Sequence, residues 1–353
     1  MRLPVLTSSS MRAYRACARL YFYSYELQYR PLVVAETLRF GTMIHRGLEA
    51  WWRAPSDGQR LAHALEAIQP GPGVEHDAYE LARAEVMLEA YDARWLDDMQ
   101  DLEVLGVEVH FPAVPLVNPE TGAASKTWLL EGKVDALVRH IPTQRIKLVE
   151  HKTTSEDITP GGDYWRRLTL DSQVSTYFRL AQHHGYPVEG CDYDVLRKPA
   201  HEPKQVPVLD EDGVKIVLDQ AGQRVRTKDG KKWRETADAK AGYTLHTRPE
   251  TPAEYAARIR EAIATDPDRY FQRAEIVRRD VEEEDAAFDA WGVGRQIRES
   301  QLANRWPRNP DACSRWGRTC EFFDVCTRVA SLDDPTRYRR AEAAHEELQD
   351  TGT

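Results

Sequence analysis

A chain of 353 residues can bury one large core or two modest ones. With 41% hydrophobic and 30% charged residues its composition is that of a soluble globular protein, and its apolar stretches are far too short to span a bilayer, which excludes a membrane role. A net charge of −9 argues mildly against a protein that coats nucleic acid, but leaves room for an enzyme with a local basic groove.

The opening MRLPVLTSSSMRAY has no apolar h-region and no small-residue cleavage site, so a cytoplasmic, reducing setting is expected. Ser8-Ser9-Ser10 reads as an N-cap for a helix within residues 8–30, with apolar and aromatic side chains at helical spacing and Cys17 inside it. Residues 36–53 predict a second helix, in which Gly41 and His45 are four apart and share a face. A long amphipathic helix is expected over 75–100. The pattern then turns to strands at 102–117, 127–140 and 145–154, the last two joined by a turn near Pro142. A helix over 163–184 carries Gln173 and Tyr177, and 191–198 reads as another strand. Residues 200–250, polar with turns rich in Gly and Lys around short strands, look like a hairpin insertion. Thr251 caps a helix over 252–264 that begins with Pro252, and another helix covers about 280–304. The tail after Asp333 is charged, a helix or a frayed end. The fold class that follows is α/β with helical ends, in one domain: a helical part at 8–100, a core at 102–198, the insertion, and a C-terminal part at 251–330.

On the strand 145–154, Glu150 and Lys152 project to one face and His151 to the other. If this strand pairs with 127–140 as a hairpin, Asp135 can lie beside Glu150. Two carboxylates and a lysine on one edge suit phosphodiester cleavage: the carboxylates hold Mg²⁺ or Mn²⁺, and the lysine orients water or offsets charge. Each element alone has a blander reading. Glu-x-Lys is common on exposed strands, a single helical His is usually half-buried structure, and Gln173 with Tyr177 at i, i+4 is an ordinary surface pair. Beside two carboxylates, His45 becomes a nitrogen ligand that favours Mn²⁺ slightly, and Gly41 lets its helix approach the sheet. Arg197-Lys198, Lys228 to Arg234 and Arg278-Arg279 are candidate basic stretches, each on its own most simply solvated surface.

The five cysteines add a second pattern. Cys17 stands alone early, and Cys313, Cys320 and Cys326 form C-x6-C-x5-C late. One early and three late suits a four-thiolate metal centre joining the chain ends better than disulfides. Zinc sites usually come as close C-x2–4-C pairs, which this spacing lacks, so iron–sulfur is favoured over zinc. Arg-rich flanks would favour thiolates over free thiols, and Trp316, Phe322 and Phe323 would shield the centre from water. Cys191, in a strand, reads as a small buried residue.

His45, Asp135, Glu150-x-Lys152 and Gln173-x-x-x-Tyr177, in that order, resemble the PD-(D/E)XK nuclease superfamily, specifically its RecB-like exonuclease branch. SSSMRAYRACARLYFYSY is similar to that branch's first helix. The cysteine arrangement resembles its iron–sulfur subgroup, which includes the AddB nuclease domain and the CRISPR-adaptation nucleases. YDVLRKP and WPRNPDACSRWGRTCEFFDVC look most like stand-alone phage or prophage versions. The resemblance covers 8–198 and about 306–328. It implies a restriction-endonuclease-like core, a mixed central sheet flanked by helices, with the terminal segments joined by a 4Fe-4S cluster on Cys17, Cys313, Cys320 and Cys326. It further implies a metal held by His45, Asp135, Glu150 and the His151 backbone carbonyl, with Lys152 catalytic and Gln173 and Tyr177 completing the site. Val134 stands where the superfamily's Pro would precede Asp135, and residues 200–250 match nothing in it. No Walker A sequence occurs, so no helicase motor is encoded in this chain. The expected function is a metal-dependent DNA exonuclease in recombination, repair or phage DNA processing, acting on single-stranded or end-containing DNA, with recombination or replication proteins as partners and room for an oligomer. The alternatives are a CRISPR-adaptation processing nuclease, against which the insertion counts, and a non-catalytic DNA-binding scaffold with a structural metal.

Overall fold

A computed structural model describes residues 3–33, 36–71, 76–315 and 318–349. The chain opens with strand β1 (Val5–Leu6) and helices α1 (Ser8–Ala16) and α2 (Ala18–Tyr21), followed by a short strand, β2 (Tyr29–Pro31). The α1 cap is Thr7, one residue before the serine run, in a reciprocal capping box with Ser10. Cys17 does not lie inside a helix as expected. Its backbone is extended (φ −164°, ψ 119°) and separates α1 from α2. Then come α3 (Glu36–Arg53), α4 (Arg60–Ala67) and α5 (Ala78–Trp95), the last capped by Asp77.

Four long strands follow: β3 (Leu102–Val117), β4 (Ala124–His140), β5 (Ile146–Thr154) and, after helices α6 (Asp163–Leu168) and α7 (Ser172–His183), β6 (Val188–Arg197). The single helix expected over 163–184 is two, because Asp171 turns the chain out of helical geometry and caps α7 through the Gln173 N–H. The insertion forms short strands β7 (Gln205–Pro207), β8 (Val217–Leu218), β9 (Thr244–Leu245) and β10 (Thr247–Pro249). Helix α8 (Pro252–Thr265), strand β11 (Phe271–Ile276) and helix α9 (Asp280–Ala303) complete the body. Among the described residues the tail after Asp333 has no α-helix: Tyr338–Arg340 pairs antiparallel with β2, and a single 3-10 turn follows at Glu346–Leu348.

The main sheet runs β1-β4-β5-β6-β11, with β3 also on β4. The β3–β4 and β4–β5 pairs are antiparallel and β5–β6 is parallel, so the sheet is mixed, as the expected fold class requires. One face packs on α1, α7 and α9, through Met11, Val174, Phe178, Val293 and Ile297 against Leu130, Leu148 and Val195. The other packs on α3, α4, α5 and α8, through Ile44, Leu48, Trp51, Leu88 and Ile259 against Val138, Val149 and Leu196. The neighbours Leu148 and Val149 go to opposite layers, which is the period-2 alternation of a strand buried on both sides. A third cluster, Tyr23, Phe322 and Tyr338, joins the beginning of the chain to its last described part.

Candidate active site

The β4–β5 pairing sets Ala136 opposite Val149, which brings Asp135 alongside Glu150. Asp135 Oδ2 accepts the His151 N–H at 2.7 Å, so the carboxylate is held by the backbone of the strand it faces. Glu150 is buried, and Lys152 Nζ donates to its Oε1 at 2.7 Å. Lys152 also donates to Gln173 Oε1 at 2.9 Å. The Gln173 amide donates in turn to Glu150 Oε1 and to the Tyr177 hydroxyl, both at 2.8 Å. The i, i+4 pair on α7 therefore closes over the Glu-x-Lys edge. Gly132 makes this closure possible, because a Cβ there would meet Leu180 at 2.9 Å and Tyr177 at 3.0 Å. Half-buried His45 sets Nδ1 3.7 Å from Asp135 Oδ1. Gly41, one turn earlier, lets α3 approach β5, since its Cβ would meet Thr153 Oγ1 at 3.0 Å. The six sequence-predicted residues thus lie in one place.

Their electrostatics are divided. Burial would raise the Asp135 carboxyl, but His45 and the His151 N–H outweigh it and hold Asp135 well below the usual carboxylate range. For Glu150 burial wins: with the Asp135 charge beside it, and despite the Lys152 ammonium, its carboxyl is pushed up to about 7. His45 and Lys152 are both shifted upward, because Asp135 and Glu150 respectively outweigh the desolvation that opposes their charge. Glu150 Oε2 is buried without a hydrogen-bond partner. An unpartnered buried carboxylate oxygen beside a second carboxylate and an imidazole is a donor set that suits a divalent cation. Among the described residues, no three His, Cys, Asp or Glu side chains are already arranged to hold a metal ion.

The His151 ring points away from this edge, as alternation requires, into a buried polar group. Its Nδ1 lies 3.3 Å from Asp194 Oδ2, and that oxygen accepts from Tyr91 (2.6 Å) and Arg273 (3.0 Å). Sequence reasoning missed this second layer, and it missed two residues on the first. Arg12 of α1 donates to Gln173 Oε1 at 3.1 Å, and Asp171 accepts from Tyr193 at 2.9 Å while capping α7. An Asp immediately before Ser-Gln was a readable cap signal; Arg12 had none, because only tertiary docking brings it there. Of the basic stretches, Arg278 donates to the backbone oxygens of Thr169 and Asp171 and so braces the loop before α7, while Arg279 pairs with Glu282 on its own helix.

Cys17, Cys313, Cys320 and Cys326 all line one cavity of about 270 Å³. The Asn309 N–H donates to Cys17 Sγ at 3.3 Å. The thiols of Cys320 and Cys326 are raised, burial being the main cause, rather than lowered by Arg-rich flanks as expected. Among the described residues the four cysteines share this cavity without being drawn together into a metal-ligand set, and raised thiols favour the protonated form. Phe322 is buried beside it, Phe323 is 38% exposed and a poor shield, and Trp316 lies outside the described residues. Cys191 is buried in β6, where burial pushes its thiol far up, in keeping with an inert residue.

The sequence matches the PD-(D/E)XK nuclease superfamily over residues 5–327. The chain belongs to that superfamily and is a nuclease. No curated protein matches it. Among solved structures it resembles a phage related exonuclease from Haemophilus somnus 129PT, with 11% identity, 74% of this chain and 94% of that chain covered, and a TM-score of 0.28. It also resembles SSO0001, with 12% identity, 66% and 79% covered, and a TM-score of 0.21. Overlaps this loose add nothing to the family assignment.

Proposed function

We propose that the chain is a metal-dependent DNA exonuclease, folded as one domain, whose site is the Asp135–Glu150–Lys152 edge closed by Gln173 and Tyr177. The observation that carries this reading is the unpartnered, buried Glu150 Oε2 beside Asp135 and His45. Asp135, Glu150, His45 and the His151 backbone carbonyl would hold Mg²⁺ or Mn²⁺. A bound ion supplies Lewis acidity toward a phosphodiester oxygen and an attacking water. The protein's own part is orientation and charge. The Lys152 ammonium, fixed between Glu150 and Gln173, offers its remaining proton to a phosphoryl oxygen or to water. Gln173 holds Lys152 and Glu150 at one distance from each other, and Tyr177 and Arg12 hold Gln173. Cys17, Cys313, Cys320 and Cys326 would carry a 4Fe-4S cluster that joins the two ends of the chain. Recombination, repair or phage DNA processing is the setting this activity suits.

Lys152→Ala should fold and bind DNA yet lose activity by about 10²–10³-fold with Mg²⁺ or Mn²⁺. Linear and circular single-stranded DNA should be compared in the same assay. Release of mononucleotides from linear strands only is expected. Cutting of circles would overturn the exonuclease assignment, and full activity of Lys152→Ala would overturn the site.

A further inference from the structure

The insertion between β6 and α8 is the part of the chain that the nuclease site leaves unused. Between Arg224 and Arg234 it carries six cations against one acid, Asp229, in a protein of net charge −9. Two of the six are neutralised within the insertion: Arg224 pairs with Asp210, and Arg234 with Asp238. Arg226, Lys228, Lys231 and Lys232 are exposed, and among the described residues none has an acidic side chain at ion-pair distance. Asp229 is occupied by the Thr227 hydroxyl and the Lys231 N–H.

These four cations are presented on a fixed frame. The turn closes through Thr227 N–H to Lys232 O at 2.9 Å and Gly230 N–H to Thr227 O at 2.8 Å, with Gly230 at φ 69°. Below the turn the guanidinium groups of Arg226 (4.1 Å) and Arg224 (4.3 Å) both lie over the Trp233 ring. A braced ribbon loses less entropy on binding than a loose loop of the same charge. Because the Trp233 ring is already engaged by two guanidinium groups, the tip offers charge rather than a stacking surface. That chemistry recognises a phosphate backbone irrespective of base.

The base of the insertion lies at the catalytic end of the sheet. It departs after Arg197, the register partner of Thr154, two residues beyond Lys152. A cavity of about 680 Å³ sits there, lined by Arg197, His201, Arg258 and Arg269 with Glu261 and Asp266. His201 Nδ1 is buried without a partner. Burial and then the charges of Arg258 and Arg269 hold its ring below the ordinary histidine range, as a positive surrounding requires.

We infer that the 200–250 insertion is a DNA-binding arm, whose Arg226, Lys228, Lys231 and Lys232 grip the phosphodiester backbone of the strand being degraded, with the Arg197–Arg269 cavity at its base. This rests on the nuclease reading above. An acidic enzyme repels its substrate over most of its surface, and a local cationic handhold offsets that repulsion.

The test is equilibrium binding of a fluorescein-labelled single-stranded oligonucleotide, by anisotropy in buffer without divalent cation, at 50–200 mM salt. The intact protein is compared with a Lys228→Ala/Lys231→Ala/Lys232→Ala variant whose melting temperature is checked in parallel. Three lost phosphate contacts should lower the slope of log affinity against log salt by about 2, so the intact protein's affinity falls about 16-fold more steeply across that range. Binding by the variant should be weaker at 50 mM. Equal affinity and equal slope at unchanged melting temperature would overturn the arm while leaving the nuclease reading intact. Absence of DNA binding by the intact protein would overturn both.

Discussion

At the level of single residues the site depends on two neighbouring carboxyls being driven apart. Asp135 is held ionised by His45 and a backbone N–H, while Glu150 is buried and protonates near neutrality in the absence of metal. A divalent cation binding between them must displace the Glu150 proton, so apparent affinity should rise with pH across about 7. Isothermal titration with Mn²⁺ at pH 6 and pH 8 should show at least about tenfold tighter binding at the higher pH, since the Glu150 proton accounts for about that much and the His45 ring, also shifted upward, must shed a proton too, with proton release at the lower pH. Equal affinities would mean that neither Glu150 nor His45 is a ligand. Much of this site was legible in the sequence because strand alternation fixes which of Glu150, His151 and Lys152 share a face, and helical spacing fixes Gln173 with Tyr177. Asp194 and Arg273 were not legible. In a sequence, a buried charge in a strand looks the same as an exposed one, and only the packing of β6 between β5 and β11 removes Asp194 from water.

Among elements, the contact that most constrains the site is α7 on β4. The helix comes close only because Gly132 has no side chain. Gly132→Val should force Leu180 and Tyr177 outward, cost roughly 1–3 kcal/mol by overpacking, and reduce activity by more than the stability loss alone explains, since Gln173 moves with the helix. A denaturant melt and a rate assay on one sample check both parts, and wild-type activity at reduced stability would show that α7 can shift without disturbing Lys152. Strands β3 to β5 and helices α3, α8 and α9 could be read closely from periodicity and caps. Short elements could not. Strand β11 was unread because six residues, FQRAEI, carry too little alternation to separate a strand from a loop. The break at Cys17 was unread because the helical pattern continues on both sides of it.

For the whole molecule, the cysteine cavity is the point at which distant parts of the chain meet. Cys17 faces three residues about 300 positions later, and the Tyr338–Arg340 strand pairs with β2 alongside. If a cluster closes this junction, anaerobically purified protein should show a broad blue-region absorbance with about four irons per chain. Cys320→Ala should abolish it and lower the melting temperature by about 5–10 °C. A colourless, zinc-containing sample, or a variant with unchanged melting, would remove the cluster from the account and leave the nuclease site standing.

The contacts that the beginning of the chain makes with α9 and Trp306 bear on how the protein comes into being. Helix α1, which delivers Arg12 to Gln173, is secured by contacts with α9 and by the aromatic stack of Phe22 on Trp306. These partners leave the ribosome only after the central sheet has been made. During translation, then, the nascent chain holds a sheet with one face incompletely covered, and α1 gains its full set of contacts only after synthesis has passed this region. A translation product stopped before α9 would carry every metal-binding carboxylate and Arg12 as well, but would lack the α9 carbonyl that holds Tyr14 and so seats α1, with its arginine, against Gln173.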